Sequence, residues 1–111
     1  KEQFHYGIDI KTNVGDPVKA TADGIVSFSG WLGDNGNLGV IEHGMGFSTY
    51  YAHNNKNLVK VGQKVKKGDT IAYVGSTGNA QTAHLHYSVL RNGNYVNPKR
   101  YMDEGIYVQK E

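Results

Sequence analysis

The 111-residue chain has no cysteine, only two prolines and little excess of charge of either sign. Without cysteine there are neither disulfides nor thiolate ligands, so a metal ion must be bound by imidazole and carboxylate groups. The 12 Lys and Arg against 10 Asp and Glu give a formal charge of +2, which does not favour a nucleic-acid partner. We interpret the lysine-rich stretch 56–67 as a solvated hairpin edge.

Long apolar runs are also absent. The longest ones fall far short of the ~20 residues that span a bilayer, and no segment resembles a signal peptide. At this length we expect one domain, residues 1–111, and a monomer. The chain begins abruptly at Lys1, just before a candidate ligand, so we expect it to be a domain excised from a longer protein.

Glycine and tyrosine are abundant, with 15 and eight copies, and they lie in short alternating runs between turn signals. This pattern predicts an all-β fold. The predicted strands are 6–10, 24–29, 39–43, 48–53, 70–74 and 84–90. Runs of Gly, Asn, Ser and Thr predict loops at 30–37, 54–57 and 75–83, and a helical turn is expected at 98–102.

An internal repeat links two parts of the chain. Residues 14–19 (VGDPVK) match residues 61–66 (VGQKVK) at four of six positions, and each segment precedes a turn and an apolar strand. The repeat predicts a sheet built from two related strand-turn-strand halves. Chance similarity between two β-turns is the alternative.

His84 and His86 are the most informative residues. On a strand, Leu85, Tyr87 and Val89 would form an apolar face, and both histidines would point to the opposite side. Their Cβ atoms would then be roughly 6–7 Å apart, which allows both rings to reach one metal ion. Spacing alone leaves them equivalent as ligands, and two solvent-facing histidines are the alternative.

A second cluster lies near the start of the chain, at His5 and Asp9. Their four-residue gap fits one face of a helix or a loop that runs into a strand, and the alternation at 8–10 favours the strand. His53 ends a tyrosine-rich strand at a loop, where catalytic groups are often presented. We interpret His43 as a packing or surface histidine.

Ligands of the His, His, Asp kind leave zinc one position for water, whose pKa zinc lowers toward ~7. A hydrolase also needs a proton carrier and a donor for the oxyanion, and histidines beside the metal serve both purposes.

Six motifs in order make the chain, from His5 to about Tyr101, resemble the lysostaphin and LytM-like zinc endopeptidases. They are His5-x-x-x-Asp9, Gly15-Asp16-Pro17-Val18, Tyr51-Ala52-His53, Val61-Gly62-Gln63-Lys64-Val65, Gly75-Ser76-Thr77-Gly78 and His84-Leu85-His86. The resemblance implies one zinc ion bound by His5, Asp9, His86 and a water, with His53 and His84 as the catalytic histidines.

The resemblance also implies an antiparallel β-sheet groove of the duplicated hybrid motif type, walled by loops. It implies a peptidoglycan endopeptidase that cuts stem-peptide crosslinks or glycine bridges. An extracytoplasmic location, and restraint by a pro-segment or a regulatory protein, are further expectations from the family.

Two departures fall in expected groove loops. Asn54-Asn55 follows His53 where relatives often have Leu-Ser, and Asn37-Leu38-Gly39 stands where many have Gly-Tyr-Gly. We expect them to affect substrate choice more than chemistry. Trp31 has two interpretations, a stacking platform for substrate or a loop anchor packed on the core.

Two other functions remain open. Some members of this family have lost catalysis and act as scaffolds or regulators of cell-wall proteins, although all five site positions are intact here. Two histidines and a carboxylate also form the facial triad of non-haem iron oxygenases.

Overall fold

The computed structural model describes residues 7–80 and 82–98. Within these ranges the chain forms nine β-strands and one 3-10 helix, Gly33–Asn35. The strands are β1 (Ile8–Lys11), β2 (Pro17–Lys19), β3 (Gly24–Trp31), β4 (Asn37–Gly44), β5 (Phe47–Asn57), β6 (Lys64–Val65), β7 (Thr70–Val74), β8 (His84–Arg91) and β9 (Asn94–Val96). No helix in the described ranges is long and apolar enough to cross a membrane.

The strands form one sheet, and every pairing among the described residues is antiparallel. The main order is β1-β8-β5-β4-β3-β6; β7 pairs with β5 and β2, and β9 pairs with β8. The predicted all-β antiparallel fold is therefore confirmed. The strand predicted at 70–74 coincides with β7, and the other five predictions overlap β1, β3, β4, β5 and β8.

The prediction of a loop at 54–57 is wrong, because β5 continues to Asn57. Asn54 is buried, and its Nδ2 donates to the Tyr51 carbonyl and to Asn57 Oδ1 at 3.0 and 2.8 Å. Pairing of this polar run with β7 continues the strand, and the two hydrogen bonds satisfy the buried Nδ2 of Asn54. The sequence also failed to indicate the short strands β2, β6 and β9, and the helical turn expected at 98–102 lies, beyond Pro98, outside the described residues.

The core lies behind β8. Leu85, Tyr87 and Val89 are each at most 2% exposed, as the predicted apolar face requires. They pack in one cluster with residues from β2, β3, β5 and β7, including Val18, Val26, Tyr51 and Ile71. Burying one such aliphatic side chain contributes about 1.5–3 kcal/mol, so the apolar face fixes which side of β8 carries the histidines.

A chain of polar contacts crosses this core. Thr21 Oγ1 lies 3.1 Å from the Tyr51 hydroxyl and 2.9 Å from the Tyr87 hydroxyl, and Thr49 donates to Tyr51 at 2.7 Å. Burial raises the pKa of both tyrosines, which keeps their hydroxyls protonated. His43 Nε2 contacts Thr49 Oγ1 at 2.7 Å and its ring is half-buried, which agrees with the prediction of a packing or surface histidine.

Three turns of the described chain share one hydrogen-bond pattern, at residues 13–16, 60–63 and 66–69. In each, the fourth residue donates its N–H to the first carbonyl, and its side-chain oxygen accepts the first N–H. The third residue is a glycine with φ of 92, 93 or 91°, as in a type II turn. The repeated segments 14–19 and 61–66 thus fold alike, and the turn at 66–69 adds a third copy.

Candidate active site

The pairing of β1 with β8 creates the first half of the site. Asp9 lies directly opposite His86 in the strand register. Asp9 Oδ1 is 2.7 Å from His86 Nδ1 and 3.5 Å from His84 Nε2. One carboxylate therefore meets both histidines that the sequence predicted to share a face.

Gly7 explains how the chain passes so close to His86. A Cβ built at Gly7 would lie 2.7 Å from His86 Nε2 and 2.5 Å from Ser88 Oγ. Both distances are too short for a side chain, so glycine is needed for β1 to approach β8 here. His5 lies outside the described residues.

His53 supplies the second half of the site from β5. Its neighbour Ala52 pairs with His86, and its ring centroid lies 4.9 Å from that of His84 and 6.1 Å from that of His86. The backbone of His53 has a φ of 70°, which non-glycine residues rarely adopt. A register shift between Asn54 and Lys56 follows directly, so an irregularity in β5 turns the imidazole toward β8.

The protein environment favours a neutral His53. Its side chain is buried, and this burial is the main cause that lowers its pKa. The nearby His84 and His86 lower the pKa further, while the hydrogen bond to the Thr77 carbonyl and the charge of Asp9 oppose the shift. At neutral pH His53 therefore has one ring nitrogen available as a proton acceptor.

The four residues Asp9, His53, His84 and His86 line one pocket of about 370 Å³. The remaining lining residues are Asp34, Asn35, Asn79 and Ala80. The predicted loops at 30–37 and 75–83 therefore do wall the pocket. These four lining residues were not predicted, because polar residues in a loop carry no signal of which ones face a site.

Two of the residues in the departures at 37–39 and 54–55 lie away from the pocket. Asn54 does not line the pocket and is buried, and Leu38 is 1% exposed in the core. Trp31 is 61% exposed at the end of β3, so the interpretation as an anchor packed on the core is wrong.

The described side chains supply part of a metal-binding site. Within residues 7–80 and 82–98 no three His, Cys, Asp or Glu side chains are arranged to hold an ion. The pair formed by His86 Nδ1 and Asp9 Oδ1 nevertheless consists of the nitrogen and oxygen donors that zinc accepts, and these atoms already converge. The described residues thus fit a zinc ion that takes a further ligand from elsewhere in the chain.

Comparison with known proteins identifies the family. Residues 3–98 match the description of Peptidase family M23. The chain belongs to this family. M23 peptidases are zinc metallopeptidases, and the structural neighbours of this chain are M23 peptidases of the lysostaphin and LytM type.

Two curated relatives of this M23 chain differ in function. The peptidoglycan DD-endopeptidase ShyC of Vibrio cholerae is 42% identical over 95 residues, which are 86% of this chain and 22% of ShyC. The murein hydrolase activator NlpD of Salmonella typhimurium is 43% identical over 99 residues, covering 88% of this chain and 26% of NlpD. The chain thus spans about a quarter of the length of these relatives.

Two solved structures have the same fold. The catalytic domain of the antimicrobial peptidase lysostaphin from Staphylococcus simulans matches with a TM-score of 0.82 at 35% identity, covering 87% of this chain and 77% of that chain. A zinc-containing peptidase from Vibrio cholerae matches with a TM-score of 0.80 at 43% identity, covering 83% of this chain and 28% of that chain.

Proposed function

We propose that this M23 chain is a zinc-dependent endopeptidase that hydrolyses peptide crosslinks of bacterial peptidoglycan. The observation that carries the proposal is the convergence of Asp9, His53, His84 and His86 in one open pocket. Similarity to the DD-endopeptidase ShyC supports a peptidoglycan peptide as substrate and makes a DD crosslink the first bond to test.

His5, Asp9 and His86 would hold the zinc ion, and a water would be the fourth ligand. The adjacent donor atoms of Asp9 and His86 support two of these assignments, and His5 is carried over from the motif alone. A bound zinc ion supplies a Lewis acid that lowers the pKa of its water toward ~7. The carboxylate of Asp9 also lies 3.5 Å from His84 Nε2, which brings this ligand next to a catalytic histidine.

His53 and His84 would move the proton. Each ring has its Nδ1 on a backbone carbonyl, of Thr77 and Thr82 respectively, so Nε2 is the nitrogen left for proton transfer; in His84 this nitrogen also lies 3.5 Å from Asp9 Oδ1. A neutral Nε2 accepts a proton from the attacking water, and the resulting imidazolium donates to the leaving amine or to the oxyanion.

Crosslinked peptidoglycan tests the proposal. Purified protein with one equivalent of zinc is incubated with cell walls of different crosslink chemistry, and mass spectrometry identifies the released fragments. Cleavage at one type of peptide bond supports the proposal and also names the bond. Metal analysis after purification without added metal should give zinc, and iron instead would favour the oxygenase interpretation.

A regulatory domain is the second candidate, favoured by the 43% identity to the activator NlpD. In that case the protein would bind a cell-wall hydrolase and raise its activity without cutting peptidoglycan. A zinc-loaded chain that is inert on several wall types and yet stimulates a hydrolase would establish this alternative.

Two further expectations belong to the proposal. We propose that residues 1–111 are a single domain of a longer protein, consistent with the short share of each relative that the chain covers. Because ShyC and NlpD are named for peptidoglycan and murein, we also propose extracytoplasmic action. The partner is then the stem or bridge peptide, and a pro-segment or regulatory protein is a further candidate.

A further inference from the structure

The loop between β7 and β8 touches both proposed catalytic histidines. His53 Nδ1 lies 2.8 Å from the Thr77 carbonyl oxygen, and His84 Nδ1 lies 2.9 Å from the Thr82 carbonyl oxygen. A carbonyl oxygen can only accept, so each Nδ1 must carry the hydrogen. In the neutral ring, each Nε2 then keeps its lone pair.

The side chain of Thr77 fastens this loop to two strands. Its hydroxyl donates to the Asn54 carbonyl at 2.7 Å and accepts the Asn37 N–H at 3.1 Å. Thr77 therefore joins the start of β4 to the irregular part of β5 that follows His53. The side chain of Thr77 therefore anchors the loop, and its carbonyl accepts the hydrogen bond from the His53 imidazole.

Two glycines allow this close packing. A Cβ at Gly36 would collide with Thr77, and a Cβ at Gly78 would collide with the backbone of residues 34–36. Both glycines also have positive φ, at 65 and 73°. Asn79 N–H donates to the Asp34 carbonyl at 3.0 Å, which attaches the loop to the 3-10 helix as well. The carbonyl of Thr77 is thus held by contacts on both sides.

We propose that Thr77 is a positioning residue: its hydroxyl locks the β7–β8 loop so that its carbonyl holds His53 in the tautomer with Nε2 free for the reaction. The effect of Thr77 on turnover rests on the proposed function. The tautomer of His53 does not, since it depends only on the hydrogen bond between His53 and Thr77.

The test compares Thr77→Val with Thr77→Ser. Valine keeps the branched shape but loses both hydroxyl hydrogen bonds, whereas serine keeps the hydroxyl. We expect Thr77→Val to lower kcat on crosslinked muropeptides by about 10- to 100-fold with little change in KM, by analogy with the loss caused by removing partners that orient metal-binding histidines. Thr77→Ser should retain most of the wild-type kcat.

Thr70→Val is the matched control. Thr70 is exposed on β7, and none of the hydrogen bonds found among the described residues involves its hydroxyl. The same chemical change there should leave kcat at the wild-type value. Thermal unfolding of all variants shows whether a loss of turnover comes from loss of the fold.

Nitrogen-15 NMR of the imidazole at pH 8 reads the tautomer without turnover, in the zinc-loaded protein. Wild type and Thr77→Ser should have His53 protonated at Nδ1, and Thr77→Val should lose this preference. A wild-type His53 protonated at Nε2 overturns the proposal even if the valine variant fails to fold. A fall in kcat with an unchanged tautomer overturns it too.

The two proposals fail separately. If wild type cuts no peptidoglycan but the tautomer changes with Thr77→Val, the positioning role stands and the peptidase function does not. If wild type is active and Thr77→Val matches it in kcat and tautomer, the function stands and the positioning role is overturned.

Discussion

The three glycine turns and the histidine site both contain a residue with positive φ, but the residue is glycine in the turns and histidine in the site. At Gly15, Gly62 and Gly68 the chain takes φ values near 90°, and nothing lies within 4 Å of where a Cβ would be. At the site His53 takes a φ of 70° although it has a large side chain. The turns are thus regular and repeated, whereas His53 lies in a stretch of β5 whose pairing with both β4 and β7 is irregular.

The two regions differ in the strain that positive φ causes. Glycine adopts positive φ without strain, so the turns require no compensation. A histidine in this region costs about 1–3 kcal/mol, which surrounding contacts must offset. Its bond to Thr77 and the packing against His84 and His86 provide such contacts. The strained residue is thus one whose imidazole lines the pocket.

Loss of turnover is the largest expected difference between the two regions. His53→Ala should lower kcat on a crosslinked muropeptide by about 10²–10⁴-fold, because a general acid or base is removed. Gly62→Ala, in a turn that does not line the pocket, should keep the wild-type kcat under conditions where it is folded. An equal loss of kcat in both variants would contradict the claim that the turns serve the fold and the site serves the chemistry.

The turn variant Gly62→Ala should lose more stability than His53→Ala. Gly62→Ala should lower the free energy of unfolding by about 1–2 kcal/mol, because it places a Cβ at positive φ. Gly15→Ala and Gly68→Ala should cost similar amounts, since the three turns share one geometry. Chemical denaturation of each variant measures the loss.

Gly39→Ala is the control for these turn variants. Gly39 lies in β4, has no positive φ, and a Cβ there would meet nothing within 4 Å. Its free energy of unfolding should therefore not fall, and it should rise by up to about 1 kcal/mol because glycine is unfavourable inside a strand. A loss as large as in the turn variants would mean that backbone conformation is not the cause.

A smaller effect distinguishes two replacements of His53. Glycine is normally less stable than alanine in a strand. At a φ of 70° we expect the opposite: the free energy of unfolding of His53→Gly should exceed that of His53→Ala by about 0.5–1 kcal/mol. Denaturation of both variants in the same metal state measures this. A more stable alanine variant would remove the argument for strain.

Much of this fold was predictable because it depends on local patterns. Alternation in β8 placed Leu85 and Tyr87 in the core and His84 and His86 on the other face. The repeat of residues 14–19 and 61–66 anticipated turns with the same hydrogen bonds. Such features depend on neighbouring residues alone, so a single sequence carries them.

What depends on distant contacts was missed. The polar run after His53 resembles a loop, but side-chain bonds of Asn54 and pairing with β7 extend it as strand. The positive φ of His53 was not predicted from the sequence, because most histidines have negative φ and the residue type alone does not mark the exception. The roles of Asp9, His53, His84 and His86 remain predictions, as does the ligand role of His5.

The pH dependence of stability is the smallest expected effect. Burial lowers the pKa of His53 below its usual value of 6.5, so between the two values the unfolded chain binds the proton and the folded chain does not. The contribution of neutral His53 is therefore present above pH 6.5 and is lost as the pH falls through the folded pKa. Relative to His53→Gln, wild type should lose stability from pH 7.5 to pH 5 in denaturant titrations; a difference independent of pH would contradict the lowered pKa.

Cleavage of a purified crosslinked muropeptide dimer tests the central claim most directly. Mass spectrometry should detect monomers in the presence of wild-type protein with one equivalent of zinc, and none after chelation or with His86→Ala. Dimers that persist with folded, zinc-loaded wild type across DD-crosslinked and glycine-bridged substrates would contradict the claim that this M23 domain is a peptidoglycan endopeptidase.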